Sequence, residues 1–304
     1  MYLDMDPGHD DALALLVALA SLKVKGVTTV AGNQTVDKTS RNARRVLDLV
    51  HCENITVHQG AAKPLFRSLV TAPHVHGSSG LDGYHFRVPA REKDIPADVQ
   101  QWLEREFSQD PDDICWIATG PLTNVAAFLI GHGEYIARIK QLIVMGGALN
   151  QGNITPYAEF NYYVDPDAAH WVMMQDIPIK VVGLDVTHQA LLDPNALARF
   201  SALESEMGRM LHDLFAFYFK HEPNRRPQGV PVHDVLAVGA MVHPEFFSWQ
   251  QAHLMVERCH ETYRGQMTVM PGTANPSTEV AVDVDAVRFF DWMWSMLALL
   301  QRKK

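Results

Sequence analysis

The stretch "DMDPGHDD", residues 4 to 11, sets Asp4, Asp6, Asp10 and Asp11 within eight positions, and the first basic side chain of the Lys or Arg type is Lys23. Two carboxylates about 4 Å apart repel by about 4 kcal/mol at an effective dielectric of 20. Pro7 and Gly8 turn the chain after Asp6, so Asp10 and Asp11 fall near the N-terminus of the following helix. The helix dipole favours negative charge there by roughly 0.3–1 kcal/mol for each acid, which is too little. The acids therefore need a cation or must take up protons. All the nearby candidate ligands are oxygens, the donor set of Ca²⁺ or Mg²⁺ rather than of zinc or copper. Helix capping plus surface charge is the plainer alternative.

Three further stretches carry chemistry-bearing side chains. In "VPVHDVLAVGAMV", His233 and Asp234 open an apolar helix. Asp234 either caps that helix or brings a carboxylate from far along the chain to complete the metal site. His233 belongs to the residue type whose ordinary pKa lies near neutrality, though a lone histidine also serves as a structural hydrogen-bonding group. The loop "GNITPYAEFN" offers Asn153, Glu159 and Asn161, amides and a carboxylate able to hold several hydroxyls at once, as a sugar demands, or else ordinary loop polarity. His74 and His76 in "HVHG" lack an evident third ligand and read as structural or substrate-adjacent.

The elements that must position these groups alternate in kind. "MYLDM", "KGVTTVAG", "NITVHQG", "DICWIATG", "QLIVMGG" and "IPIKVVGLD" are short β-rich runs, each followed by a helical or loop segment. That rhythm predicts βαβ units and an α/β fold with an open, mainly parallel sheet flanked by helices. Amphipathic stretches lie between, among them "ALALLVALAS", "KTSRNARRVLDLV" and "PLTNVAAFLI", with Pro121 suited to a first helical position. Arg41, Arg44 and Arg45 read as a solvated helix face. In an open parallel sheet ligands sit outside the carboxyl ends of the strands. Asp6, Asn33, Thr119 and Met145 each follow or close a separate run, so four strands deliver polar or backbone groups to one edge. Residues 62 to 94, 147 to 163 and 222 to 232 break the rhythm as long loops, the kind that carry function or mobility.

Composition narrows the partners. With 26 basic against 35 acidic side chains the formal charge is −9, which does not attract nucleic acid or an acidic membrane surface; small molecules and cations fit better. The 304 residues, 47% apolar, are ample for one large core, and no domain boundary is evident. Cys52, Cys115 and Cys259 are widely spaced and odd in number, so neither a disulfide framework nor a thiolate zinc site is suggested, and a reducing cytoplasm suits them. The N-terminus reads as an acidic strand and turn rather than a secretory signal. "FFDWMWSMLALL" is too short to span a bilayer, carries Asp291, and reads as a core-facing terminal helix.

The chain resembles the inosine-uridine preferring nucleoside hydrolases. "LDMDPGHDDALAL", "VAGNQT", "HVHGSSGLDG", "TGPLTN", "VMGGALNQGN", "AEFN", "DPDAAH", "GLDVTH" and "VHD" occur in that family's order along nearly the whole chain, and "DPGHDDA" alone is quite specific. The resemblance implies a single Rossmann-like domain over 1–304 that hydrolyses the N-glycosidic bond of ribonucleosides to free base and ribose, with one tightly held Ca²⁺. It implies that Asp6, Asp11, Asp234 and the backbone carbonyl of Thr119 hold the ion, with ribose hydroxyls and a water filling the shell. Asp10, Asn33, Met145, Asn153, Glu159 and Asn161 match the ribose-holding set: Asp10 at the 2′-hydroxyl, Glu159 and Asn153 at the 5′ end, and Asp234 also at the 3′-hydroxyl. His76 joins the substrate-facing residues.

Cleavage of a ribosyl bond passes through an oxocarbenium-like state, so acids around the ribose stabilise the transition state more than the ground state. Ca²⁺ polarises its water less than zinc would, so a carboxylate base is still needed. Asp6 is the candidate base, and His233 is the candidate acid for the leaving base. No Tyr or Trp lies between Tyr218 and Trp249, where some relatives supply an aromatic beside the base; Phe219, His85 or Tyr157 are the substitutes on offer. "DPGHDD" and "HGSSGLDG" lean towards the pyrimidine-preferring branch. Relatives are usually homodimers or homotetramers, so a homo-oligomer is expected here.

Two rivals use the same residues differently. "LDMD" after an apolar start also resembles the haloacid dehalogenase phosphatases, in which Asp4 would attack phosphate with Mg²⁺ assisting. A non-catalytic nucleoside or ribose sensor would use the pocket only to bind.

Overall fold

The six β-rich runs all become strands. In the computed structural model, which describes residues 1–86, 95–110, 113–271 and 278–302, they are β1 (Tyr2–Met5), β2 (Gly26–Thr29), β3 (Thr56–Gln59), β4 (Ile114–Ala118), β5 (Ile139–Met145) and β6 (Ile179–Val182). Short strands β7 (Leu191–Leu192) and β8 (Val230–Pro231) form a separate pair, as do β10 (Leu254–Val256) and β11 (Met267–Val269). Two strands not anticipated from sequence, β9 (Phe247–Gln251) and β12 (Thr278–Val284), extend the main sheet. Its eight strands run in the order β3-β2-β1-β4-β5-β6-β12-β9, parallel throughout except for the β12–β9 edge. Positions 87 to 94 of the Gly- and His-rich loop lie outside the described residues.

Side chains alternate between two cores, as a sheet covered on both faces requires. Leu3, Met5, Ile117, Ile143 and Val182 face one; Tyr2, Trp116, Leu142, Val144 and Val181 face the other. The helices are α1 (His9–Ser21), α2 (Val36–Leu49), α3 (Pro73–His76), α4 (Val99–Gln109), α5 (Thr123–Gly131), α6 (Phe160–Val164), α7 (Pro166–Met173), α8 (Leu184–Thr187), α9 (Ala196–Ser201), α10 (Glu206–His221), α11 (His233–Val242) and α12 (Ala286–Arg302). The last buries Phe289, Trp292, Met293, Leu297 and Leu300, as its core-facing reading requires.

Two helices matter most for the site. "HDDALALLVALAS" is apolar on every side after its first turn, and α1 is buried from His9 to Ala18. A helix of that kind has to lie inside the molecule. The same holds for α11, buried from His233 to Ala240, and the two pack against each other.

Some local expectations fail. Arg44 is not on a solvated face: it is buried, with Nε donating to Asp48 Oδ1 at 2.7 Å and NH1 to the Ile55 carbonyl at 2.8 Å, because α2 packs its polar stripe against its own C-terminal turn. Pro121 precedes the helix instead of opening it, since Leu122 is the N-cap of α5. Asp234 does not cap α11; Val232 holds that place and Asp234 sits in the first turn.

Candidate active site

Strand order reverses between β1 and β4, and at such a switch point the chains leaving adjacent strands diverge and open a crevice at the carboxyl edge. Asp6 leaves β1 and Thr119 leaves β4. They line a cleft open to solvent, together with Asp10, Asn33, His76, Met145, Asn153, Glu159, Asn161, His233 and Asp234. The remaining expected residue, Asp11, lies just beneath, fully buried, and accepts from Thr119 Oγ1 at 2.8 Å and Gly8 N at 3.0 Å. Sequence reasoning therefore brought together residues from β1, β2, β4, β5, α11 and the loop before α6 that meet in one place.

The acids are tightly grouped. Oxygens of Asp10, Asp11 and Asp234 lie within 4.8 Å of one another. Asp10, rather than Asp6, completes that closest trio. Asp6 stands beside it, its Oδ2 accepting from Asn33 N at 2.7 Å. A Cβ at Gly32 would stand 2.1 Å from Asp6 Oδ2, and one at Gly120 2.9 Å from Oδ1, so both positions need glycine to leave the carboxylate its room. Asn33 Nδ2 donates to Asp11 Oδ2 at 3.2 Å, and Asn161 Nδ2 donates to the carbonyl oxygens of Thr119 at 2.7 Å and Met145 at 3.2 Å.

Glu159 is the N-cap of α6. Its carboxylate accepts from Asn161 N at 2.8 Å, Gly147 N at 2.9 Å and Tyr162 N at 3.1 Å, which stiffens the loop that carries it. Asn153 Oδ1 accepts from Phe160 N at 2.9 Å and ties the same loop from its other end.

Burial shapes the electrostatics. It pushes the carboxyls of Asp6 and Asp234 well above the usual range, with Asp11 the next largest cause at Asp6 and Asp10 at Asp234. Asp10 is raised to about 7 by burial and then by Asp11. Among the described residues none of these four acids joins an ion pair with Lys, Arg or His. Two helix N-termini, of α1 and α11, point their dipoles at the group, and the ligand atoms its acids offer are carboxylate oxygens. That donor set fits a hard divalent cation. On the other side of the cleft, burial and the neighbouring His188 lower His233 to about 3, and its Nδ1 meets Thr187 Oγ1 at 2.8 Å.

Asp4 lies off the cleft and wholly buried, accepting from Thr28 Oγ1 at 2.5 Å and Asn124 Nδ2 at 2.7 Å, so it cannot reach a phosphate there and the phosphatase reading fails. Phe219, His85 and Tyr157 do not line the cleft. Phe219 packs against the core, His85 is exposed, and Tyr157 stacks edge-on with Tyr263 at 4.8 Å. The aromatic groups come from Tyr218 and Phe160 instead. Glu222 and Asn224 were also missed. They open the polar 222 to 232 loop, and Glu222 is buried, accepting from Asn224 N at 2.7 Å and from the Tyr218 hydroxyl. The end of "FYFKHEPN", an apolar helix running into an acid, was the available signal.

Residues 1–291 match the sequence profile of the family described as "inosine-uridine preferring nucleoside hydrolase". The chain belongs to this family. The activity that goes with membership is hydrolysis of a ribonucleoside, so the cleft is that of an N-glycosidase. The chain is 41% identical over 299 residues to the pyrimidine-specific ribonucleoside hydrolase RihA of Salmonella agona (strain SL483), covering 95% of each chain. It is 39% identical over 308 residues to the RihA of Shewanella woodyi (strain ATCC 51908 / MS32), covering 99% and 98%. Among solved structures, the purine-preferring ribonucleoside hydrolase from Gardnerella vaginalis superposes with a TM-score of 0.93 at 28% identity, covering 100% and 99% of the two chains. In the cleft, acids crowd one side and histidines flank the other.

Proposed function

We propose that residues 1–304 act as one domain that hydrolyses pyrimidine ribonucleosides, uridine and cytidine before inosine, in the cytoplasm and as a homo-oligomer. The observation that carries this reading is the meeting of Asp6, Asp10, Asp11 and Asp234 with the amides of Asn33, Asn153 and Asn161 in one cleft. The pyrimidine preference rests on the RihA relatives at about 40% identity. The purine-preferring structure that superposes on the chain is the more distant in sequence, at 28% identity.

Asp6, Asp11, Asp234 and the Thr119 carbonyl would hold a Ca²⁺. Bound there, the ion would supply the positive charge that makes the buried acids tolerable and would polarise a water. Asp10, Asn33, Met145, Asn153, Glu159, Asn161 and Asp234 bind and orient the ribose. Asp6 takes a proton from the attacking water. As the bond to the base lengthens, positive charge grows on the ribose ring, and the surrounding carboxylates stabilise it more than they stabilise the substrate. His76 and His233 face the departing base. Burial holds His233 neutral, which favours donation of a hydrogen bond over surrender of a whole proton.

A reducing-sugar assay over uridine, cytidine, inosine and adenosine, run with chelator and with Ca²⁺ or Mg²⁺ restored, tests reaction, base and ion together. Ribose released from the pyrimidine nucleosides, lost on chelation and recovered best with Ca²⁺, is the expected result. Tight uridine binding without ribose release would overturn the reading in favour of a sensor.

A further inference from the structure

We infer that Thr187 holds His233 in the tautomer that carries its proton on Nε2, so that the cleft is offered an N–H donor. This deepens the hydrolase reading and rests on it for the donor's use, though not for the hydrogen bond itself.

Thr187 ends α8, the short helix that follows β6, so a further strand contributes to the site. Its side chain is fully buried. Its hydroxyl has one side-chain partner among the described residues, His233 Nδ1 at 2.8 Å. A hydroxyl has a single proton to donate, and a buried one has to place it on an acceptor. Among the described residues no backbone carbonyl accepts from that hydroxyl, and the Gly183 carbonyl one turn earlier already accepts the main-chain N–H groups of Val186 at 3.2 Å and Thr187 at 3.1 Å. If His233 Nδ1 carried the ring proton and donated to Thr187 Oγ1, the hydroxyl proton would be left without an acceptor. With the proton on Nε2 both groups are satisfied: Thr187 donates and Nδ1 accepts.

The ring lines the cleft, and its Nε2 makes no hydrogen bond within the protein among the described residues. His188, the next residue after Thr187, meets the ring only edge to face, with centroids 5.7 Å apart. The acceptor that suits such a donor is the carbonyl oxygen of a pyrimidine beside the bond that breaks. As the C1′–N bond breaks, its electron pair goes to the base, which leaves as an anion with that oxygen hydrogen-bonded to His233 Nε2–H. Water supplies the hydroxyl to C1′, its proton goes to Asp6, and the free base later takes a proton from solvent. Thr187 is thus a positioning residue, acting through His233.

Thr187→Val keeps the shape and removes the hydroxyl. Turnover of uridine and cytidine should fall about 10- to 100-fold with KM within about twofold, because the hydrogen bond matters in the transition state. p-Nitrophenyl riboside, whose leaving group needs no donor, should keep its rate, and Thr187→Ser should restore nucleoside turnover. Equal losses on both kinds of substrate, or no rescue by serine, would overturn the inference. The wild-type protein labelled with ¹⁵N-histidine gives a readout that needs neither variant nor activity: the His233 ring should show the Nε2-protonated form, and the Nδ1-protonated form would overturn the assignment. No nucleoside cleavage together with an Nε2-protonated ring would sink the hydrolase reading and leave the Thr187 hydrogen bond standing.

Discussion

Asn161 Nδ2 donates to the carbonyl oxygen of Thr119 at 2.7 Å and to that of Met145 at 3.2 Å, so one side chain ties together the carboxyl ends of two neighbouring strands. A carbonyl oxygen can accept twice, which leaves Thr119 one direction for an ion. Asn161→Ala should therefore weaken Ca²⁺ binding about 10- to 100-fold, with kcat/KM for uridine falling alongside. Calorimetric titration with CaCl₂ checks the first and steady-state kinetics the second. Unaltered Ca²⁺ affinity would remove Thr119 from the proposed ligand set.

Asp6→Asn preserves the shape of the side chain and removes its basicity. Turnover should drop by about 10²–10⁴-fold even at saturating Ca²⁺ and uridine, the loss characteristic of a general base. A variant turning over uridine at a near-normal rate would exclude Asp6 from that role.

Metal-free protein should lose stability as the solution becomes less acidic. Asp10 is raised from 3.8 to about 7, so between those values the folded chain holds a proton that the unfolded chain has released. Its stabilising contribution is complete below the lower value and is lost as pH rises through the upper one. A shift of that size corresponds to about 4 kcal/mol at most. His9 and His233, lowered to about 4 and about 3, act with the opposite sign, losing stability as pH falls below 6.5. Asp10→Asn keeps those histidines and removes the acid, so urea midpoints in chelator from pH 4 to 7 should fall less steeply in the variant. Identical slopes would contradict the burial argument.

Asp4→Asn addresses the phosphatase rival directly. The amide oxygen can still accept from Thr28 and Asn124, and the position is off the cleft. Uridine turnover should stay within about threefold, with a stability change of about 1 kcal/mol. Loss of all activity without loss of folding would return Asp4 to the chemistry.

The six strands read from sequence were legible because each is a short run with buried apolar or β-branched residues that ends in a turn or loop. β9 and β12 were not, since β12 finds its place by pairing with β6 far back along the chain and β9 only by pairing with β12 in turn. The acids were legible through their crowding: "DPGHDD" is too charged to be ordinary, and Asp234 stands conspicuously at the head of an apolar helix. Tyr218 and Glu222 were opaque for the opposite reason. Tyr218 occurs in an unremarkable amphipathic helix, and only the packing of α10 against α3 turns its ring towards the cleft and His76, 6.0 Å away. Thr187 carried no signal in isolation, because its significance is a hydrogen bond to a residue 46 positions later.

The all-round apolar character of α1 and α11 has a consequence for how this pocket tolerates change. A cage assembled from surface loops could be loosened without disturbing the interior. Here the spacing between Asp10, Asp11 and Asp234 is inherited from the contact between two core helices, so a methylene lost at Leu16 or Leu236 should register as weaker ion retention before it registers as unfolding. Interior repacking and cation grip are then a single trait under selection.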